Sequence, residues 1–269
     1  MMLEPLRFPT IVAAALFVAA FAQSSNNETT TPEQRLNGKR TLSVGMVVFP
    51  GWQPMDVYGP IDILYMMSSW GKYKMTFSVI AQEVGNVPSM PPPHRHQPGA
   101  PVSDWGHVIS SQIHATHTFA NAPALDVLFV PGGMGTRLVD SSNNTEIEQF
   151  IVKRYPRLDY LISICTGAVF LAKAGVLNGK RATTNKATYN WVTQGHGENI
   201  KWEPNARWTV DANIWTSSGV TAGLDATYAL MKHIYGPEEV DKVMALIEYA
   251  PHTDPTWDPF AVFHKVCWF

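Results

Sequence analysis

The chain has 269 residues, 45% of them hydrophobic and 16% charged, with two cysteines and a formal net charge of −2. That balance suits one large α/β domain with a full core, and it supplies no global basic field of the kind that holds nucleic acid or an anionic membrane. Small neutral substrates remain open.

Residues 1–22 contain Arg7, an apolar run from Ile11 to Phe21 and the triplet Ala20-Phe21-Ala22. This is the pattern of a secretory signal peptide cut before Gln23, and the apolar run is too short for a stable membrane span. Secretion is therefore expected, and with it glycosylation at the sequons that begin at Asn27 and Asn143. Residues 23–40 are polar and read as a mobile arm. The folded domain is expected over 41–250, followed by a C-terminal tail over 251–269 that drapes over the core or a partner subunit.

Within the domain, Leu42 to Phe49 reads as a first strand, followed by a turn at Pro50-Gly51-Trp52-Gln53-Pro54. A helix then opens at Asp56 and runs to about Ser68. In an open parallel sheet such a loop lies at the carboxyl ends of the strands, where ligands bind, so Asp56 is placed near a crevice. Capping the helix or serving as a first-turn carboxylate is the commoner duty of an aspartate there. Lys74 to Ala81 reads as the second strand, and Glu83 to His107 as a long irregular insertion rich in proline. The histidines at 94, 96, 107, 114 and 117 lack the spacing of a known metal motif, so neither a metal nor any other cofactor is expected.

Leu125 to Val130 reads as a core strand ending in Pro131-Gly132-Gly133-Met134-Gly135, where glycine lets backbone approach a ligand closely. With no phosphate-loop pattern present, Gly133 is the candidate for an oxyanion-type N–H donor, and Gly132 for a place beside the pocket. Thr145 to Arg154 reads as an amphipathic helix.

The short apolar run Tyr160 to Ile164 suits a parallel strand covered on both faces. A helical pattern starts at about Thr166 and stops at Gly175, which places Cys165 where strand becomes helix. Unpaired amides there are expected to lower the thiol's pKa and to offer donors to a forming anion. The plain alternative is a small buried hydrophobe, the commonest fate of a free cysteine. A disulfide to Cys267 would remove the nucleophile, but a position in the terminal Val-Cys-Trp-Phe favours two free thiols. Further on, Arg181 to Thr184 reads as a short strand, Asn185 to Val192 as the start of a helix, and Arg207–Val210 with Ile214–Ser217 as a hairpin. Helices over 224–235 and 237–249 complete the domain. Trp52, Tyr58 and Trp191 are candidates to line an apolar pocket, although aromatics this frequent are more often plain core.

Taken together, V-G-M-V-V-F-P-G-W, P-M-D-V-Y-G-P, D-V-L-F-V-P-G-G, S-I-C-T-G-A-V-F-L-A-K-A-G-V-L-N-G-K-R-A-T-T and T-S-S-G-V-T-A-G-L-D-A-T resemble the DJ-1/PfpI family, and within it the isonitrile hydratase branch. The resemblance implies a flavodoxin-like three-layer α/β sandwich with a mostly parallel sheet, a cysteine nucleophile elbow and a homodimer. It also implies Cys165 as nucleophile, Asp56 as its acidic partner, Thr166 as the residue after the nucleophile and Gly133 as backbone donor. Many relatives carry histidine where Asn185 stands, so a Cys-His pair of the amidotransferase type is not expected. The function implied is hydration of an isocyanide to an N-substituted formamide. A glutathione-independent glyoxalase and a non-catalytic redox-sensing or binding protein are the alternatives.

Overall fold

A computed structural model describes residues 30–94 and 102–266. The segment 1–22 expected to be a signal peptide, the Asn27 sequon, His96 and Cys267 lie outside the described residues.

Seven strands form the central sheet. In chain order they are β1 (Leu42–Val47), β2 (Met75–Ala81), β5 (His117–Thr118), β6 (Val127–Val130), β7 (Tyr160–Ile164), β10 (Trp208–Asp211) and β11 (Ile214–Ser217), with spatial order β10-β11-β7-β6-β1-β2-β5. All neighbours are parallel except the edge hairpin β10/β11. The central strands β6 and β7 are buried along their whole length, as a parallel sheet covered on both faces requires.

Two hydrophobic clusters lie on the two faces of this sheet. Helices α2 (Pro54–Ser69), α7 (Val220–Tyr235) and α8 (Pro237–Leu246) cover one of them. The other is closed by α4 (Glu146–Arg154) and α5 (Ala168–Lys173), with Phe150, Ile151, Phe170 and Leu171 packed against Leu128 and Leu161. This is the three-layer α/β sandwich expected from the sequence.

Several segments depart from expectation. Pro32–Asn37 form a helix, α1, so this part of the arm is ordered. Thr31 and Gln34 exchange the reciprocal hydrogen bonds of a capping box, and Gln34 Nε2 donates to the carbonyls of Lys232 and His233 on α7. Asn37 Nδ2 adds a bond to the Ile234 carbonyl. The insertion after β2 is not wholly irregular, because β3 (Gly85–Pro88) pairs antiparallel with β4 (Gln112–Ala115) as a separate ribbon; β8 (Arg181–Ala182) and β9 (Lys201–Trp202) form a second, parallel one. A short helix, α3 (Gly135–Ser141), follows the glycine turn where none was expected.

The tail folds back on its own domain. The Pro255 carbonyl accepts from the Arg207 N–H, the Asp258 N–H donates to the Asn205 carbonyl, and α9 (Pro259–Phe263) ends the described tail. Asn143 is exposed, in a left-handed turn between α3 and α4. Among the described residues no helix is long and apolar enough to cross a membrane. Nor is any group of three or more His, Cys, Asp or Glu placed to hold a metal ion.

Candidate active site

The chain leaves β7 in extended conformation at Ile164 and turns abruptly at Cys165, whose φ is +57°. A non-glycine residue in this region costs on the order of 1–3 kcal/mol, and it persists only where surrounding bonds enforce it. Here the Cys165 N–H donates to the Ser218 carbonyl at 2.9 Å, and the Cys165 carbonyl accepts from Thr184 Oγ1 at 2.9 Å. Both flanking segments thus hold the elbow in place. A 3-10 turn, Cys165–Gly167, follows before α5 begins, so the α-helix starts two residues later than the sequence suggested.

Asp56 occupies the first turn of α2 and is fully buried. It is not the helix cap, which is Gln53. Its Oδ2 accepts the Gly132 N–H at 3.0 Å, while Oδ1 has no N–H or O–H partner. Its remaining interaction is with the Cys165 thiol. Burial raises the carboxyl pKa to about 7, against the smaller opposing pull of the Gly132 amide and the thiol.

The thiol itself is displaced in the direction opposite to expectation. Burial, and then the neighbouring Asp56, push the Cys165 pKa well above its ordinary value. Donors from the Thr166 N–H, the Thr166 hydroxyl and the Asn185 side chain pull the other way and do not prevail. The expected dipole effect fails on length, since a three-residue 3-10 turn leading into six helical residues carries little field against complete burial. The resting pair therefore holds a neutral thiol beside a carboxyl that titrates near neutrality. No imidazole is among the groups that shift the sulfur.

Thr166 is tied into the glycine turn. Its Oγ1 accepts the Gly133 N–H at 3.0 Å and shares a proton with Thr136 Oγ1 at 3.0 Å. With Thr136 donating, the Thr166 hydroxyl proton is left to the Cys165 sulfur and, at a long 3.5 Å, the Gly133 carbonyl. The expected role of Gly133 is thereby corrected: its amide is spent on Thr166 and is not available to a substrate oxyanion. Gly132 packs beside Cys165 Cβ and Thr166 rather than lining the cavity, and its N–H is spent on Asp56. A side chain there would come within 2.5 Å of the Thr166 nitrogen, so glycine is what lets the two turns meet.

Asn185 is oriented by its own turn. Its Oδ1 accepts from the Thr188 N–H at 3.1 Å and from Thr188 Oγ1 at 3.2 Å, which leaves Nδ2 to donate to the sulfur. An Asn-x-x-Thr pattern at a helix start is legible as a cap, but nothing local says that its amide also faces a thiol.

Cys165, Thr166 and Asn185 open on a cavity of about 580 Å³ walled by Trp105, Met134, Leu138, Trp191 and Val220. His94 also reaches its wall from the insertion after β2. Of the three aromatics proposed for the pocket, Trp191 alone is there. Trp52 is 1% exposed and sits in the core, its indole N–H on the Val87 carbonyl at 3.1 Å. Tyr58 packs edge-on against Trp52 and donates to the Gln112 carbonyl. Among the contributors not foreseen from sequence are Thr136 and Arg137, both of which belong to the unpredicted helix α3. The run Thr-Arg-Leu-Val-Asp after Gly135 was the available signal. Cys165 is a free cysteine.

Comparison with known proteins identifies the family and the fold. The sequence profile of the DJ-1/PfpI family matches residues 42–233. The isonitrile hydratase of Pseudomonas putida is 30% identical over 210 residues, 78% of this chain and 79% of that one. Among solved structures, a THiJ/PfpI family protein from Pseudomonas syringae superposes with a TM-score of 0.60 at 24% identity, covering 86% of this chain and 85% of its own. Drosophila melanogaster DJ-1beta gives a TM-score of 0.60 at 17% identity, over 78% of this chain and 100% of its own. At those identities the structural likenesses speak for the fold alone.

Proposed function

The chain belongs to the DJ-1/PfpI family, and from that premise we propose that it is an isonitrile hydratase-like hydro-lyase, adding water to an isocyanide to give an N-substituted formamide. The observation that carries this reading is the pair itself: a protonated Cys165 on a strained elbow beside a buried carboxyl, Asp56, with a pKa of about 7 and one oxygen lacking an N–H or O–H partner.

An isocyanide carbon makes an unusual demand, because the same atom must receive both a nucleophile and a proton. A neutral thiol next to a carboxylate holds both. Asp56 takes the thiol proton as the sulfur bonds to the isocyanide carbon, then returns it to that carbon, which gives a thioimidate on Cys165. Water next adds to the thioimidate carbon and the nitrogen is protonated. The C–S bond then breaks as the new hydroxyl loses its proton through Asp56 to the departing sulfur, and the formamide leaves with the thiol restored. A carboxyl titrating near neutrality suits this two-way traffic, since both of its forms are populated at pH 7. Donors from Thr166 and Asn185 stabilise the sulfur each time it carries charge. The absence of an imidazole from this set does not impede the scheme, which calls for a proton shuttle rather than a strong base. A small-molecule substrate and a homodimer complete the reading.

The test is infrared loss of the isocyanide stretch on mixing purified protein with cyclohexyl or aryl isocyanide, run beside Cys165→Ser. Decay that depends on Cys165, with formamide appearing, is the expected result. Intact isocyanide alongside turnover of methylglyoxal would instead assign the site to glyoxalase chemistry.

A further inference from the structure

The cavity in front of Cys165 is walled largely by apolar side chains, and among the described residues one permanent charge lines it. Arg137, on α3, is part of its wall together with Trp191. The guanidinium carbon lies 4.1 Å from the centroid of the Trp191 ring. That indole is itself held edge-on against His196, with ring centroids 5.1 Å apart. A cation–π contact of this kind restrains the exposed guanidinium over the ring and leaves its forked N–H groups free to meet a ligand.

No anion among the described residues takes up that fork. Among the described residues Arg137 is in none of the ion pairs, and no aspartate or glutamate lines the cavity. Asp140, one turn along the same helix, is engaged elsewhere, by Lys173 at 2.9 Å and by His196 at 3.1 Å. Two further buried acids are also committed, Asp225 to Arg207 and Glu148 to Lys173. An oriented guanidinium on the wall of an apolar pocket, with its own acids occupied, matches a planar carboxylate brought in by the substrate.

We propose that the substrate of the Cys165 site carries a carboxylate and that Arg137, held over Trp191, binds it. Combined with the isocyanide reading, on which this part rests, the substrate class becomes an isocyanide whose carbon skeleton bears a carboxylate. The apolar walls at Trp105, Met134, Leu138 and Val220 then take a hydrophobic side chain. Arg137 is a specificity-determining residue in this assignment, while bond making stays with Cys165 and Asp56.

Two ligand pairs differing only in the carboxylate separate this proposal from the reading beneath it. In the turnover arm, kcat/KM is measured for 2-isocyano-3-phenylpropanoate and its methyl ester. The acid is expected to be preferred by roughly 10- to 100-fold, the range of a charge-assisted hydrogen-bonded contact. Arg137→Met should collapse that ratio towards one, and Arg137→Lys should restore part of it, since charge returns without the fork. In the binding arm, calorimetry compares N-formylphenylalanine with its methyl ester on the wild-type protein and on Arg137→Met, with no turnover required. A preference for the acid that Arg137→Met abolishes supports the site even if no isocyanide is consumed, in which case the hydratase reading alone falls. Equal affinity for acid and ester, or a preference that survives Arg137→Met in a protein of unchanged melting temperature, overturns the proposal.

Discussion

Two buried aspartates, Asp56 and Asp225, are 0% and 3% exposed, and the fold treats them in opposite ways. Asp225 is satisfied on every side. Its Oδ2 meets the Arg207 guanidinium at 2.6 Å, and its Oδ1 accepts from the Tyr249 hydroxyl and from the His252 N–H at 3.0 Å. Arg207 in turn reaches Thr221 and Asp258, so the cluster fastens the C-terminal tail to the end of the sheet. Asp56 receives one amide and a thiol, and no cation. A scaffold needs its buried charges paired, because breaking such a pair leaves an uncompensated ion in a medium that solvates it poorly. A reactive site needs the reverse, a carboxyl destabilised enough to exchange its proton at neutral pH.

That contrast can be broken or sharpened by substitution. The largest effect is expected from Cys165→Ser, which should lower isocyanide hydration by roughly 10⁴-fold or more while leaving the melting temperature within a few degrees. Substantial remaining hydration would take the sulfur out of the chemistry. Asp225→Ala should do the opposite, destabilising the protein by roughly 3–5 kcal/mol in urea titrations through the orphaned Arg207. Its tail should become open to proteolysis at temperatures where the wild-type tail resists.

Asp56→Asn is expected to cut kcat by roughly 10²- to 10⁴-fold without loss of stability. The sign of its pH dependence follows from the raised pKa. The folded carboxyl titrates at about 7 against 3.8 in the ordinary case, so the unfolded chain ionises first as pH rises. The stability associated with Asp56 is fully present below about pH 4 and is lost progressively as pH climbs to about 7, on the order of a few kcal/mol in total. Asp56→Asn should flatten that slope and melt higher than wild type at pH 8. An unchanged slope would mean that the carboxyl is paired in solution after all. For the wild-type enzyme, kcat/KM should rise through an apparent pKa near 7 that belongs to the Cys165–Asp56 pair jointly.

The smallest effects belong to Asn185, whose two ends do separate jobs. Asn185→Ala removes both, at about 1 kcal/mol for the lost cap and roughly tenfold in kcat for the lost donor. Asn185→Asp keeps the acceptor for Thr188 but replaces the donor with a negative charge. It should therefore melt close to wild type and be the slower of the two enzymes. If Asn185→Asp matched wild type in rate, the amide would be a cap and nothing more.

How much of this was legible varies from residue to residue. The strand Tyr160–Ile164 and the sharp turn at Cys165 follow from a short β-branched run meeting small residues, a local signal that tertiary contacts only had to accept. The position of Asp56 at the crevice followed from the rule that βα loops gather at the carboxyl edge of a parallel sheet. The amide of Gly133 was misassigned for a different reason. Sequence says that glycine allows close approach, but what approaches was decided by Thr166, thirty-three positions away. Trp52 and Trp191 are alike in sequence terms, and their fates diverge only because one indole is covered by the β3 ribbon and the other borders the cavity.

By itself, then, the sequence determined the order of the strands and helices, the apolar faces they bury and the cysteine elbow, because these rest on periodicity and turn chemistry within a few residues. The protonation state of the site was a tertiary decision. A short turn's field and the burial of a thiol against a carboxylate act in opposite directions, and which prevails depends on how completely distant segments exclude water from both groups.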